Sequence, residues 1–498
     1  MQSAKSICGY AFAGATACVL AGCVVGPDFQ RPPAPAAAGY TRPPLASPTA
    51  SARVHGGEPQ RFVPGLDIPG QWWTLFRSEA LNRLIEQALR NNPDLAATRA
   101  SLRQADELLR AREGARLPFV GAGVQVGRAR APIAGVLAGG RPVVPTFSVA
   151  TASLDVSYAP DAFGGTRRQI ESLAAQAEYQ RFELEAAYLT LTANVVVSAV
   201  QEASLRGQIR ALDDTIRIDR EELVLVRRKF RAGVVSQADV LAQTAALEQA
   251  SASLPALREQ LALVRSRLTV LAGRLPDREV RAKFELDRLD LPRDLPVSLP
   301  SRLLLQRPDV RAAEARLHAA SAAVGVAIAN QLPQFSITAS AGASAAGIES
   351  FPGYGVWSVA AGAAQTLFDA GSLRHRRRAA EAAYDQAAAQ YRSAVIGALH
   401  DVSDALRTLE YDADALAAQT AAERAAFASL ELARRQFNAD TVDHLTVLNA
   451  ERIWEQAHAA QVQAEGNRYA DTAALFEALG GGWWNRGDSG GGAPVRRR

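Results

Sequence analysis

The chain has 498 residues, 48% hydrophobic but only 6% aromatic, and a net charge of +4. This length leaves room for two or three ordinary domains, and the scarcity of aromatics suits closely packed helices better than one large globular core. The small net charge, with no basic face, excludes nucleic acid as an expected partner, and three cysteines at 8, 18 and 23 exclude a disulfide framework.

The first 22 residues read as an export signal. Lys5 supplies a positive start, and Ile7 to Leu20 is an apolar run too short and weak to span a bilayer. Leu20-Ala21-Gly22-Cys23 then resembles a bacterial lipobox, in which the cysteine becomes the lipidated first residue of the mature protein. On that resemblance residues 1–22 are removed. Cys23 carries diacylglycerol and an N-acyl chain, and the absence of Asp at Val24 favours the outer membrane. An ordinary signal with a chance cysteine is the alternative. Residues 23–70 follow as a linker. Ten prolines between 26 and 70 rule out a helix or a central strand, so an extended arm joins the anchor to the body.

The body repeats itself at a period near 210 residues. Asn92-Pro93-Asp94-Leu95 opens a helix over about 94–116 that ends at Leu117-Pro118, and Arg307-Pro308-Asp309-Val310 opens one over about 309–331 that ends at Leu332-Pro333. Phe163 to Tyr179 answers Phe368 to Tyr384. The run from Arg227 (RRKFRAGVVSQADVL) answers the run from Arg434 (RRQFNADTVDHLTVL). Ordered matches at a nearly constant offset make two copies of one unit, over 71–275 and 276–484.

After its first helix each unit shows two alternating stretches, about 119–131 and 146–160 in the first and about 335–345 and 355–367 in the second. Val120, Ala122, Val124 and Val126 alternate with Gly121, Gly123, Gln125 and Gly127. Period-two alternation of small apolar and polar residues is the weak signature of a membrane β-barrel; a soluble two-sided sheet is the other reading. A helical hairpin closes each unit, over about 164–272 and about 370–479. In its first helix, Leu184, Leu191, Ser198, Leu205, Leu212, Asp219 and Val226 form one series of sevens. Tyr188, Val195, Glu202, Ile209, Ile216, Leu223 and Phe230 form another, and eleven of the fourteen are apolar. Such a seam calls for a supercoiled partner. Pro255 is expected to kink the first return helix, Arg274 to Leu299 reads as loop, and 485–498 as a disordered tail. Four strands cannot close a barrel and two hairpins cannot close a tube, so other copies of the chain are required. A trimer would supply twelve strands.

Nothing points to catalysis. Gly487-Asp488-Ser489-Gly490-Gly491 spells a serine-protease-like motif in a tail with no core to hold a triad. The six histidines show no metal spacing, so no metal is expected.

Several further motifs carry a family resemblance: Val25-Gly26-Pro27-Asp28-Phe29, Gln71-Trp72-Trp73, Phe163-Gly164, Gln306-Arg307-Pro308-Asp309-Val310, Leu367-Phe368-Asp369 and Leu479-Gly480-Gly481-Gly482-Trp483. With the lipobox and both hairpin turns, they resemble the outer-membrane efflux lipoproteins of the NodT/OprM type, relatives of TolC, over residues 20–484. The resemblance implies a mainly α homotrimer with a twelve-stranded outer-membrane β-barrel, four strands per chain, above a periplasmic α-helical barrel with an equatorial domain. It also implies a role as exit duct of a tripartite pump. The partners would be outer-membrane lipid, a periplasmic adaptor and an inner-membrane transporter of the resistance-nodulation-division type. A duct for type I protein secretion, or a periplasmic coiled-coil adaptor without a barrel, would be the competing roles.

In that family acidic residues near the second turn ring a closed aperture, which implies a gate at Asp443, with Asp239 in the matching turn of the first half. Three symmetric carboxylates would attract cations and repel anions. The plain alternative is that both cap return helices. Thr446 and Asn449 stand where some relatives carry further aspartates. Arg227, Arg228, Arg434 and Arg435 lie near the same tip as candidate contacts to the adaptor or bridges between hairpins, with plain solvated charge as the alternative.

Overall fold

The computed structural model describes residues 24–35, 39–130, 137–138, 141–142, 144, 146–439 and 441–487. The expected signal peptide, Cys23 and the tail from 488 onward lie outside the described residues. In chain order the main elements are β1 (Arg61–Pro64), α1 (Glu79–Asn91), α2 (Pro93–Gly114), β2 (Phe119–Arg130), β3 (Thr146–Tyr158), α3 (Gly165–Arg231) and α4 (Gln237–Leu271). The second half has β4 (Asp294–Val297), α5 (Pro300–Gln306), α6 (Pro308–Ala329), β5 (Gln334–Ala345), β6 (Tyr354–Ala364), α7 (Ser372–Asn438) and α8 (His444–Ala478). The internal repeat is visible in the lengths: α2 and α6 have 22 residues each, α3 and α7 have 67, and α4 and α8 have 35. At 1.5 Å per residue the 67-residue helices are each about 100 Å long. Among the described residues no helix is long and apolar enough to cross a membrane.

Local chemistry sets where these helices begin. Asn92 Oδ1 accepts hydrogen bonds from the amides of Asp94 and Leu95 at 2.9 and 3.0 Å, and Pro93 takes the first helical position, where its missing N–H costs nothing. Asp161 caps α3 by accepting from the amides of Thr166 and Arg167, and Asp369 caps α7 by accepting from Gly371 and Leu373. Pro255 lies inside a continuous α4.

The chain forms two compact units. The first comprises Met1–Arg31, Leu102–Gln180 and Ala313–Tyr391. Its centre is a four-stranded antiparallel sheet in the order β2-β3-β5-β6. The register pairs Val124 with Ala152, Ala152 with Ala343, and Ala341 with Trp357. One sheet face therefore collects most of the apolar members of all four strands, and the other collects Gln125, Ser153, Asp155, Thr338, Ser340 and Ser358, with Phe119, Phe147 and Val356 among them. Ser153 Oγ donates to Asp155 Oδ2 at 2.9 Å, and the Ser340 and Ser358 hydroxyls share a 2.8 Å hydrogen bond. The apolar face is bare: Val124 is 81% exposed and Trp357 78%. In the same unit the amide of Val25 donates to the carbonyl of Phe163 at 3.2 Å. Gly26, at φ +96°, lies so close to Gly325 that a Cβ on it would meet the Gly325 Cα at 2.5 Å. Buried Arg168 donates to the carbonyls of Val25 and Gly26 and pairs with Asp28 at 2.6 Å, while Phe29 stacks on His318 at 4.4 Å. The Val-Gly-Pro-Asp-Phe motif is thus a docking sequence for the start of the arm.

The second unit comprises Pro32–Ser101, Arg181–Ala312 and Arg392–Arg498. Trp72 stacks on Phe476 at 5.4 Å, and both are buried with Phe76, Leu81, Ile85 and Tyr469. Here the proline-rich arm is folded in rather than loose. Its residues Arg61–Pro64 pair in parallel with Asp294–Val297, a strand in the stretch expected to be loop. Arg468 of α8 has no exposed surface and donates to the carbonyls of Gly56 and Glu58, to Gln60 Oε1 and to Thr49 Oγ1. Arg307 donates to Asp309 at 2.6 Å, to Asp401 at 2.8 Å and to the carbonyl of Ala478 at 3.1 Å, which accounts for the Arg-Pro-Asp element. Gly480, Gly481 and Gly482 all have positive φ, and Trp483 Nε1 then donates to the carbonyl of Gln306. Asn485 and Arg486 correct the expectation of a disordered tail from 485. Asn485 Nδ2 donates to Asp67 and to the carbonyl of Ile68, and Arg486 lies over the Tyr188 ring and pairs with Glu185. These polar partners hold the segment despite the glycine-rich composition around it.

The seam of α3 behaves as its sevens demand. Leu191, Val195, Leu205, Ile216, Leu223 and Val226 are buried. Its three polar members are buried too: Ser198, Glu202 and Asp219. Phe230, the last of the series, is 42% exposed, because the helix ends one residue later.

Candidate functional site: the hairpin ends

Two turns, α3 to α4 and α7 to α8, lie in the second unit. The first is closed by amide donation from Ala232 to Arg228, Gly233 to Phe230 and Val234 to Lys229, with Gly233 at φ +77°. Ser236 and Asp239 then form a reciprocal capping box: Ser236 Oγ accepts from the Asp239 amide at 3.3 Å, and Asp239 Oδ2 accepts from the Ser236 amide at 2.8 Å. The second turn uses Asp443 as N-cap. Its Oδ1 accepts from the Thr446 amide at 2.9 Å and from the Thr446 hydroxyl at 2.5 Å. These hydrogen bonds, led by the Ser236 and Thr446 side chains, hold both carboxyls below the usual carboxylate range. Both residues are therefore anionic near neutrality, and both do local structural work at the helix starts.

An Asp443→Ala variant should fray the first turn of α8, with amides 444–447 exchanging about fivefold faster, whereas Asp443→Asn, a comparable cap, should leave them nearly unchanged. Because the native Asp443 carboxyl titrates below its unfolded value, the cap is fully present above the usual carboxylate range. It is lost as pH falls through the lowered native value.

Beneath the turns each hairpin has its own apolar zipper: Ile216, Leu223, Leu247 and Ala250 in the first, and Leu430, Ala433, Val447 and Ala450 in the second. Two polar ties near the turns join the hairpins, and farther along Gln208 of α3 donates to Gln463 of α8 at 2.9 Å. Gln243 of α4 donates to Asp219 Oδ1 of α3 at 3.0 Å, and its Oε1 lies 2.8 Å from His444 Nε2 of α8. With Gln243 Oε1 as acceptor, His444 must donate from Nε2. Burial lowers its pKa, so the ring is neutral near pH 7. In the second tie Arg434 of α7 reaches Glu451 of α8 at 2.8 Å and Glu222 of α3 at 3.3 Å.

The four arginines named from the sequence separate here. Arg227, Arg228 and Arg435 are exposed, Arg435 only touching the carbonyl of Glu431, while Arg434 is half-buried in the tie. Sequence reasoning missed Glu222, Gln243, His444 and Glu451. Asp219 left a signal, since it breaks an apolar series and a polar residue there must find a buried partner.

Asp219, Glu222 and Glu451 also form a cluster, with ligand oxygens within 4.8 Å of one another. No metal is expected from the sequence, and Arg434 already brings positive charge to Glu222 and Glu451. Burial pushes the carboxyl of Glu451 up to about 8, helped by repulsion from Glu222 and Asp219 and opposed by Arg434. Burial likewise raises Asp219 and Glu222, and lifts Glu455 to about 7.

The sequence matches the family model described as outer membrane efflux protein in two segments, 84–274 and 299–481, one per repeat. It is 30% identical over 426 residues to the pyoverdine export outer membrane protein OpmQ of Pseudomonas putida, covering 84% of this chain and 89% of that protein. It is 30% identical over 477 residues to the probable efflux pump outer membrane protein TtgC of the same species, covering 95% of each. Among solved structures, the outer-membrane channel OprN superposes with a TM-score of 0.81 at 30% identity, over 93% of this chain and all of that one. The chain therefore has the TolC-like fold and belongs to the outer membrane efflux protein family.

Proposed function

We propose that this chain is the outer-membrane exit duct of a tripartite efflux pump, a passive homotrimeric channel for small molecules. Its periplasmic end would meet an adaptor that links it to an inner-membrane transporter of the resistance-nodulation-division type. The observation that carries this reading is the β2-β3-β5-β6 sheet. Its two outer strands have no partner on their free edges among the described residues, and it exposes a continuous apolar face. Bare edges and a bare apolar face are unstable in water. Three copies joined edge to edge would satisfy every strand, with the apolar face against lipid and the serine, threonine and aspartate face lining a wet lumen. A coiled-coil adaptor has no use for such a sheet. The relatives named for pyoverdine export and efflux pumps favour small molecules over secreted proteins. A lipid on Cys23 would anchor the arm.

In this reading the hairpin ends form the periplasmic aperture. Asp443, exposed and anionic, is the first candidate for a charged ring and Asp239 the second. Exposed Arg227, Arg228 and Arg435 make no ion pair among the described residues and are the candidates for adaptor contact. Single-channel conductance in planar bilayers tests both levels. The purified protein should form a low-conductance, cation-preferring pore, and Asp443→Asn, which keeps the cap, should conduct more and lose cation preference. A pore unchanged by the variant would retain the duct and remove Asp443 from the constriction. A folded protein that never conducts, alone or with the variant, would overturn the duct.

A further inference from the structure

More carboxylates than cations are buried at the polar tie between the hairpins. Helix α3 brings Asp219 and Glu222, and α8 brings Glu451 and Glu455. The α7 face contributes one guanidinium, Arg434, and also Glu431, 3.7 Å from it. From α4 comes only the neutral amide of Gln243, which also occupies the neutral His444. The Glu451 side chain is 4% exposed and that of Glu222 21%. Arg434 engages Oε1 of each, but Oε2 of each is buried without a hydrogen-bond partner. Two ionised carboxylates can only accept, so neither can satisfy the other, and at this separation their charges repel. Oxygens of the two side chains lie within 4.8 Å of one another, so a single proton lets one carboxyl donate toward the other, which two carboxylates cannot do.

We propose that Glu222 and Glu451 share one proton at neutral pH, and that this proton, together with Arg434, ties the first hairpin to the second and is released when they part. The site lies within one chain and does not depend on the transport reading, and its test measures no transport.

The direction of the pH effect follows. The native Glu451 carboxyl holds its proton up to about pH 8, whereas an exposed glutamate releases it near 4.5. Between these values the parted state binds fewer protons than the tied one. Parting therefore becomes easier as pH rises, by about tenfold per unit for one proton, and is pH-independent outside the window.

Hydrogen exchange of the full-length protein in detergent, read on peptides covering 215–226 and 447–455 over about pH 5 to pH 9, tests this. After correction for intrinsic exchange, the wild type should lose protection steadily up to about pH 8. In Glu451→Gln the amide donates to Glu222 at every pH, so protection should persist and its pH profile should flatten. The infrared spectrum near neutrality should show a protonated-carboxyl stretch that loses one carboxyl's intensity in the variant, the share of other raised carboxyls such as Glu455 being common to both. If Glu451→Gln does not fold, Glu222→Gln replaces it with the same expectations. A flat wild-type profile, or a slope undiminished in the glutamine variant, would overturn the proposal. So would protection at high pH that chelation removes and calcium or magnesium restores, which would make this a cation site.

Discussion

Replacing Arg468 with alanine should release the N-terminal arm. The guanidinium has no exposed surface and donates four hydrogen bonds to arm groups on Thr49, Gly56, Glu58 and Gln60. Its removal takes this donor from four acceptors, the carbonyls of Gly56 and Glu58, the Gln60 amide oxygen and the Thr49 hydroxyl, and opens a cavity beside Tyr469. Hydrogen bonds from a charged donor contribute about 1.5–3 kcal/mol each, and an orphaned buried acceptor costs about 1–3 kcal/mol. Because these overlap, the expected loss is on the order of 4 kcal/mol. Lysine should restore little, since one ammonium cannot span acceptors arranged around a planar fork. Two measurements check this: a lower unfolding midpoint of the full chain in guanidinium, and rapid trypsin cleavage after Arg53, which is exposed but backed by an ordered segment in the native chain. Unchanged protection at Arg53 would mean that the other arm contacts suffice, among them β1 with β4 and Arg407 with the carbonyl of Pro43.

The second large effect concerns the sheet. Val124 and Gln125 are neighbours at the middle of β2 and point to opposite faces. If the apolar face meets lipid, Val124→Arg should cost about 2–4 kcal/mol and strip folded protein from the outer membrane. Gln125→Arg, with the same charge one residue on, should assemble normally and shift the pore toward anions. Heat-modifiable gel mobility of membrane fractions reads the first, and reversal potentials in a salt gradient read the second. Equal tolerance of both changes would place the sheet in water.

Much of this architecture could be read from residue order. The duplicated Pro-to-Pro helices, the alternating stretches and the sevens of α3 each follow from spacing, and spacing survives without knowledge of contacts. Partnerships between distant residues could not be read. The arm looked like a linker because ten prolines forbid regular structure, but prolines do not forbid docking, and its hold comes from Arg168 and Arg468, residues 140 or more positions away. Likewise Asp443 and Asp239 were found as acidic residues at turns, where capping and gating leave the same mark. The tie beside them was invisible because Glu222 and Glu451 look like ordinary helix-surface glutamates until α3 and α8 come together. Only Asp219, out of place in an apolar series, hinted at it.

The close seat of Gly26 on Gly325 constrains how the protein can ride in a bilayer. Chain beyond Val25 is fixed by the Phe163 carbonyl and the Arg168 clasp. Two further residues of chain can span at most about 7 Å, at 3.3–3.6 Å per residue. An acyl chain there would be a short mooring rather than a leash. It would fix the height of the membrane surface against the first unit, while the apolar band of the strands fixes the same height independently. If Cys23 is lipidated, the two heights must agree with the thickness of one leaflet, and the protein should be sensitive to lipid chain length in a way that an unmoored barrel is not.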